Sequence, residues 1–298
     1  MAEQKLPFRR KVYYWLVVIF WNAAGLMSFK MAQKIGACAG HLAFLIVGRY
    51  RKVAYTNLKS IFPEKTEIEI RSLTKRIFIN QGKNFFEFLA FRKLTPENIT
   101  RISQIKGKEN FDEAFSRKKG VLMIAAHFSN WELLGVVLAY AGIPMNVIAK
   151  KLYIEKLDEM LIRSRESMGM KIIKRGEGDS SLGIIRALKK NQCLAMLVDQ
   201  NIKSVPGVDI NFFGKKAFTP SGLASLALKT GAPVLAVFIV REKDDTFTVE
   251  VSKKVELIKT GNEQEDILQN TQKFSDITEE YIRKYPDQWV WFHKRWNN

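Results

Sequence analysis

The sequence predicts an α/β fold, a largely parallel sheet flanked by helices, preceded by an N-terminal helical segment that anchors the chain to a membrane. Two observations carry this. From Gly120 onward, short apolar runs alternate with helix-length stretches, the pattern of successive βα units. Near the N-terminus, residues 12–29 contain no charge and are flanked on both sides by Lys and Arg. At 298 residues the chain can bury a large core, as one domain or as one domain with an appendage. The division expected is 1–60 for the membrane-anchoring and basic amphipathic helices, and 61–298 for the α/β part.

As one helix, residues 12–29 would span roughly 27 Å, near the thickness of a hydrocarbon core. Tyr13, Tyr14, Trp15 and Trp21 supply interfacial aromatics. A cleaved signal peptide is disfavoured, because no small-residue cleavage site is clear and a second apolar stretch follows. That stretch, 35–48, includes Gly36, Gly40 and His41 and suits a re-entrant or interfacial helix, or a helix packed on the domain. Residues 1–60 hold ten Lys or Arg (Lys5, Arg9, Arg10, Lys11, Lys30, Lys34, Arg49, Arg51, Lys52, Lys59) against Glu3 alone, half of the net +18. Basic charge packed around apolar sequence points to an anionic membrane surface, with an acidic protein as a further partner class. A single crossing with the large domain inside would leave Lys5, Arg9, Arg10 and Lys11 outside, against the positive-inside rule. A shallow hairpin or an interfacial helix avoids that conflict.

Residues 49–66 read as a basic amphipathic helix stopped before Pro63. Residues 64–92 read as a long helix with Ile68, Leu73, Ile77, Phe78, Phe85, Phe86 and Leu89 on its apolar face. Glu87 is assigned to its surface, since a buried acid requires a partner. Beyond Gly120 the expected strands are 121–126, 145–149, 171–174, 193–198, 234–240 and 247–251. The expected helices are 131–141, 154–169, 180–190, 220–229 and 267–284. Thr219 as N-cap and Pro220 at the first helical position open the 220–229 helix, and Gly231 ends it. Lys215 and Lys216 sit just before that helix start, either favouring an anionic headgroup or forming an ordinary basic loop. Residues 286–296 alternate aromatic and basic side chains and are expected to pack on the core with a basic edge.

Chemistry concentrates in the stretch VLMIAAHFSNWELLG, residues 121–135. A buried strand gives way to polar residues at His127, and Ser129 and Asn130 can cap the helix that Trp131 begins. Along one helix, His127 and Glu132 would point about 140° apart. They can face each other only if His127 lies in the loop and Glu132 in the first helical turn. There the carboxylate could fix the imidazole tautomer and the imidazole could take a proton from a hydroxyl, with helix-start N–H groups near a developing oxyanion. A satisfied loop histidine beside a helix-start glutamate favoured by the dipole fits the same spacing. Ligands of parallel sheets bind beyond the carboxyl ends of strands, where His127 and the pair Asp199–Gln200 both fall.

Other chemistries are excluded by what is missing. The three histidines and two cysteines have no zinc-ligand spacing, so no metal is implied. Cys38 and Cys193 sit in apolar contexts and read as core thiols of a reducing compartment. There is no Gly-x-Ser-x-Gly elbow. The segment 207–216 lacks P-loop spacing, and Gly176-x-Gly178 lacks the third glycine of a dinucleotide fingerprint. No nucleic-acid-binding module accompanies the basic excess.

Taken together, several motifs resemble the late acyltransferases of lipid A biosynthesis, a branch of the lysophospholipid acyltransferase superfamily. They are R-x-R-K-V-A-x-x-N-L with F-P-E (49–64), HFSNWE (127–132), Arg165-x-x-x-Gly169 and Asp199–Gln200. FFG-x-x-A-x-T-P-x-G with LA-x-x-TGAP (212–233) and P-x-Q-W-x-W-x-H-K-R (286–295) complete the set. The resemblance implies a glycerol-3-phosphate-acyltransferase-like fold at the cytoplasmic face of a bacterial inner membrane. It implies His127 as general base, with Glu132 orienting it and stabilising its imidazolium. The acceptor would be a hydroxyl of a lipid A precursor and the donor an acyl-carrier protein or coenzyme A thioester, with no bound cofactor. Arg165, Asp199 and Gln200 would lie near the site, Arg165 facing the oxyanion or the donor phosphate, with Lys150 as a headgroup contact. Ser129 departs from the family pattern, where glycine is commoner, which bears on the local backbone. Two other readings stand beside this one. The first is an acyltransferase for another glycolipid, such as a phosphatidylinositol mannoside or an aminolipid; the second is a non-catalytic lipid-binding protein of the membrane surface.

Overall fold

The computed structural model describes residues 8–176 and 180–296, without the side chains of 8–11 and 13. Lys5, Gly178 and the side chains of Arg9, Arg10, Lys11 and Tyr13 therefore lie outside the described residues.

The uncharged N-terminal run is not one helix. Helix α1 (Phe8–Ala24) ends at a turn, and α2 (Phe29–Ile46) starts afresh, with the Ser28 hydroxyl accepting from the Met31 N–H. The turn forms because Gly25 leaves room for a guanidinium: a Cβ there would lie 1.8 Å from Arg92 Nε. Arg92 donates instead to the carbonyls of Trp21 and Asn22 in the last turn of α1. Among the described residues no single helix is long and apolar enough to cross a membrane. Helices α2 and α3 (Gly48–Ile61) reach that length and composition only as a pair bent by 90°.

Helix α4 (Glu67–Ala90) opens with a capping box between Thr66 and Glu69. Gly36 and Gly40 of α2 meet Gly82 of α4 backbone to backbone, so closely that a Cβ on Gly82 would lie 2.2 Å from the Gly36 carbonyl oxygen. The second apolar stretch is thus a helix packed on the domain. The buried face of α4 includes Ile70, Leu73, Ile77, Phe78 and Leu89, whereas Ile68 is 83% exposed and Phe85 is also exposed. Cys38 is likewise exposed on α2, against its expected place in the core, because it lies away from the α4 contact; Cys193 is buried.

After α5 (Pro96–Ile99) and β1 (Ser103–Lys106), α6 (Glu109–Ser116) leads into the βα units. These comprise β2 (Val121–Ala125), α7 (Trp131–Tyr140), β3 (Met145–Lys150), α8 (Glu155–Glu166), β4 (Lys171–Arg175), α9 (Ser180–Lys189) and β5 (Cys193–Leu197). A hairpin follows, β6 (Gly207–Phe212) and β7 (Lys215–Pro220), then α10 (Gly222–Thr230), β8 (Val234–Arg241), β9 (Phe247–Val251) and α11 (Glu263–Lys284). The seven-stranded sheet runs β1-β9-β8-β2-β5-β3-β4, parallel throughout except where β8 meets β9. Strand β2 is buried on both faces, as a central strand of a parallel sheet must be. Its Val121, Met123 and Ala125 face α7, while Leu122, Ile124 and Ala126 join the core that includes α10, α11 and the C-terminal tryptophans.

Two expectations at the C-terminal half are corrected. Thr219 and Pro220 belong to β7, and Ser221 occupies the N-cap position of α10. Lys215 and Lys216 therefore start a hairpin strand rather than precede a helix; Gly231, at φ +65°, does end α10. The segment 286–296 packs on the core as expected, with Trp289 and Trp291 fully buried; Arg295 is buried with them, while Lys294 stays exposed at the basic edge. The Arg295 guanidinium stacks on Phe212 and donates to the Phe218 carbonyl and the Thr219 hydroxyl.

Candidate active site

Strands β2 and β5 pair in parallel, Ala125 opposite Leu197. Two residues further along each chain stand His127 and Asp199, side by side beyond the carboxyl ends of the strands. The Asp199 carboxylate accepts from the His127 backbone N–H at 3.0 Å and pairs with His127 Nδ1 at 2.9 Å. Trp289 Nε1 donates to the same carboxylate at 2.8 Å. The sequence assigned the orienting position to Glu132; the structure gives it to Asp199, because adjacent parallel strands end in register there. Asp199 is 2% exposed, and its neutralising partner is the imidazole.

Burial alone would push His127 down; the Asp199 charge and hydrogen bond outweigh it, and Glu132 adds a smaller electrostatic pull, so the imidazole sits above its ordinary range. Burial likewise works against an ionised Asp199, and the same imidazole, with the Trp289 and His127 N–H groups, holds the carboxyl below its usual value. With Nδ1 committed, Nε2 is the nitrogen left for chemistry.

His127 stands at the polar end of a cavity of about 250 Å³ between the sheet, α7 and α8. Met123, Ala125, Met145, Val147, Ala195 and Leu197 of β2, β3 and β5 line its apolar floor; Trp131, Glu132, Arg165 and Lys150 share its polar rim. Glu132, in the first turn of α7, makes a two-pronged bond to Arg165 of α8, Nε to Oε2 at 3.0 Å and Nη2 to Oε1 at 2.6 Å. Arg165 thereby faces the same cavity as His127 and keeps Nη1 outside that pair. Gln200 is half-buried and does not line the cavity. Lys215 and Lys216 are elsewhere, on the hairpin, against Ser60 and Asp209 respectively. Among the described residues there is no cluster of metal-ligating side chains.

The loop between β2 and α7 is held from two sides. Ser129 adopts φ +49°, a left-handed conformation that suits glycine better. Its N–H donates to the Gln288 carbonyl at 2.6 Å and its own carbonyl accepts from Asn84 Nδ2 at 2.6 Å. Asn130 caps α7, its Oδ1 accepting from the Leu133 N–H. Phe128 bridges to Trp289, and the Val290 N–H reaches the His127 carbonyl. Trp289, Gln288, Asn84 and Glu87 were not singled out from sequence as site residues. Glu87, assigned to the surface of α4, is completely buried. The aromatic periodicity of 286–296 was the available signal for Trp289, and the P-x-Q-W motif contained Gln288; nothing local marked Asn84 or Glu87 as site residues, since they act across the fold.

The bacterial lipid A biosynthesis acyltransferase family model matches residues 1–298. The chain belongs to this family. It is similar to the lipid A biosynthesis lauroyltransferase of Escherichia coli, 26% identical over 95% of this chain and 91% of that protein. A lipid A biosynthesis acyltransferase of Haemophilus influenzae is 22% identical over 93% of this chain and 85% of its own length. A phosphatidylinositol mannoside acyltransferase of Mycolicibacterium smegmatis is 26% identical over 61% of this chain and 59% of its own. As a member of this family the protein is an acyltransferase, which sets aside the non-catalytic reading.

Proposed function

We propose that the protein moves a fatty acyl chain from a thioester, carried by acyl-carrier protein or coenzyme A, to a hydroxyl of a lipid A precursor. The carrying observation is the His127–Asp199 pair at the mouth of an apolar cavity that Arg165 also faces. His127 Nε2 takes the proton of the acceptor hydroxyl, and Asp199 holds the ring and stabilises the imidazolium. The hydroxyl oxygen attacks the thioester carbonyl carbon, and Arg165, aimed by Glu132, stabilises the oxyanion. The carbon–sulfur bond then breaks, the ester remains on the acceptor, and the thiolate leaves with the proton returned by His127. The acyl chain occupies the apolar floor, and Lys150 meets an acidic group of the headgroup or carrier.

The reaction is placed at the cytoplasmic face of the inner membrane, with 1–60 as the anchoring segment and 61–298 as the catalytic part. Support comes from large apolar side chains left exposed among the described residues: Trp15, Leu16 and Ile19 on α1, and Met31, Leu42, Leu45 and Ile46 on α2. Lys30, Lys34, Arg49 and Lys52 lie along the same segment, suited to anionic headgroups.

The test is to offer the purified protein acyl-carrier-protein and coenzyme A thioesters with a lipid A precursor or a phosphatidylinositol mannoside, and weigh the products. A mass gain of one acyl chain on the lipid A precursor is expected. Acylation of the mannoside alone would favour the acceptor named for the mycobacterial relative, and acylation of neither would overturn the reading.

A further inference from the structure

Beneath the His127 loop lies a buried ion pair that the chemistry above does not use. Glu87 of α4 is completely buried, and Arg241 at the end of β8 is 7% exposed. They meet in a two-pronged contact, Nη1 to Oε1 at 2.6 Å and Nη2 to Oε2 at 2.7 Å. Each is also tied to the loop. Glu87 Oε2 accepts from Asn130 Nδ2 at 2.6 Å, which turns Asn130 Oδ1 toward the N-terminus of α7. Arg241 Nη2 donates to Asn84 Oδ1 at 2.7 Å, which turns Asn84 Nδ2 toward the Ser129 carbonyl. The Arg241 backbone closes the circle, exchanging two hydrogen bonds with the Gln288 side chain, while the Gln288 carbonyl accepts the Ser129 N–H. The face of Arg241 is covered by the Phe247 ring.

The Asn84 and Asn130 amides have their orientation fixed by charge. A carboxylate accepts only, and a guanidinium donates only. Asn130 must therefore point its nitrogen at Glu87 and its oxygen at α7; Asn84 must point its oxygen at Arg241 and its nitrogen at Ser129. Those two amides hold the carbonyl of a residue in a strained conformation and the first turn of the helix that carries Glu132. His127 lies two positions before Ser129 on the same loop. A buried ion pair is a poor source of stability, since desolvation offsets its attraction, and apolar residues of similar volume often replace one without loss. Its value here is directional.

We propose that Glu87 and Arg241 are positioning residues for acyl transfer: by fixing the Asn84 and Asn130 amides they hold the 127–132 loop so that His127 and Glu132 face one cavity. The proposal rests on the assignment of His127 and Arg165 given above. Glu87 and Arg241 touch neither substrate nor the reacting atoms, and they act through the loop.

The experiment compares steady-state kinetics of the full-length protein, wild type and His127→Ala, with three variants. Glu87→Leu/Arg241→Met exchanges the pair for apolar bulk. Arg241→Lys keeps the charge and loses the fork. Asn130→Ser keeps a hydroxyl to cap α7 and drops the tie to Glu87. The expected result is kcat lowered at least tenfold in all three, KM for the thioester within twofold of wild type, and thermal midpoints within a few degrees of wild type. A folded double variant or a folded Asn130→Ser protein with wild-type kcat would overturn the proposal. If the double variant fails to fold, Asn130→Ser decides alone, because its substitution preserves the cap. Wild type that transfers no acyl chain, or His127→Ala that matches it, would instead overturn the functional reading, so the two failures are told apart.

Discussion

His127 does two jobs that pull against each other: it must be basic enough to take a proton and still be neutral at the start of the cycle. Asp199 sets the balance by raising the imidazole above its ordinary 6.5. The base works only when deprotonated, so kcat/KM should fall on the acid side through a value above 6.5, measured as a pH–rate profile. In Asp199→Asn that limb should move to lower pH as the negative charge is lost, with the plateau down about a hundredfold. The stability signs are opposite for the two partners. The raised His127 contributes fully below 6.5 and loses its contribution as pH rises through its folded value; the lowered Asp199 contributes above 3.8 and loses it as pH falls through its own. The thermal advantage of wild type over Asp199→Asn should therefore be greatest between those limits. Ser129 offers a complementary test. Its left-handed backbone costs on the order of 1–2 kcal/mol in a non-glycine residue, and its hydroxyl is buried without a partner among the described residues. Ser129→Gly should leave turnover in place and raise or hold the thermal midpoint; a clear fall in either would mean that the hydroxyl has a role.

At the scale of elements, what could be read from the chain and what could not divide along physical lines. The βα alternation was legible because a central parallel strand must be apolar along its length; β2 and β5 are, and β8 is up to its terminal Arg241. The His127 loop and the Asn130 cap were legible because capping is local. The partner of His127 was not, since choosing Asp199 over Glu132 requires knowing that β5 lies beside β2, and strand order is a property of the whole sheet. Glu87 was misplaced for the same reason: its partner Arg241 is over 150 residues away in sequence. The break between α1 and α2 was hidden in a run whose composition alone suggested a span; Gly25 and Ser28, a turn and a cap, were the available marks. The α2–α4 contact yields its own test. Gly82→Val places branched carbons against the Gly36 and Gly40 backbone, where even a Cβ has no room. Thermal unfolding should show a loss of several kcal/mol, at the severe end for single substitutions; a shift of less than 1 kcal/mol would show that the two helices are free to separate.

Taken whole, the molecule joins an exposed apolar face on α1 and α2 to an apolar cavity with a polar end, and half of its net positive charge lies in the first 60 residues. A protein of this kind should bind vesicles containing anionic lipid more tightly than neutral ones, and added salt should weaken the difference. Replacing Trp15, Leu16 and Ile19 together by Glu should reduce co-sedimentation with such vesicles while leaving the folded core intact by circular dichroism. Unchanged co-sedimentation would move the membrane contact elsewhere. The most direct measurement is the mass of a lipid A precursor held in vesicles with an acyl thioester and either wild type or His127→Ala protein. Wild type is expected to add one acyl chain, and His127→Ala to add it at least a hundredfold more slowly with the same bound fraction. Equal rates in the two proteins would contradict a base at His127 and, with it, the reaction assigned to this site.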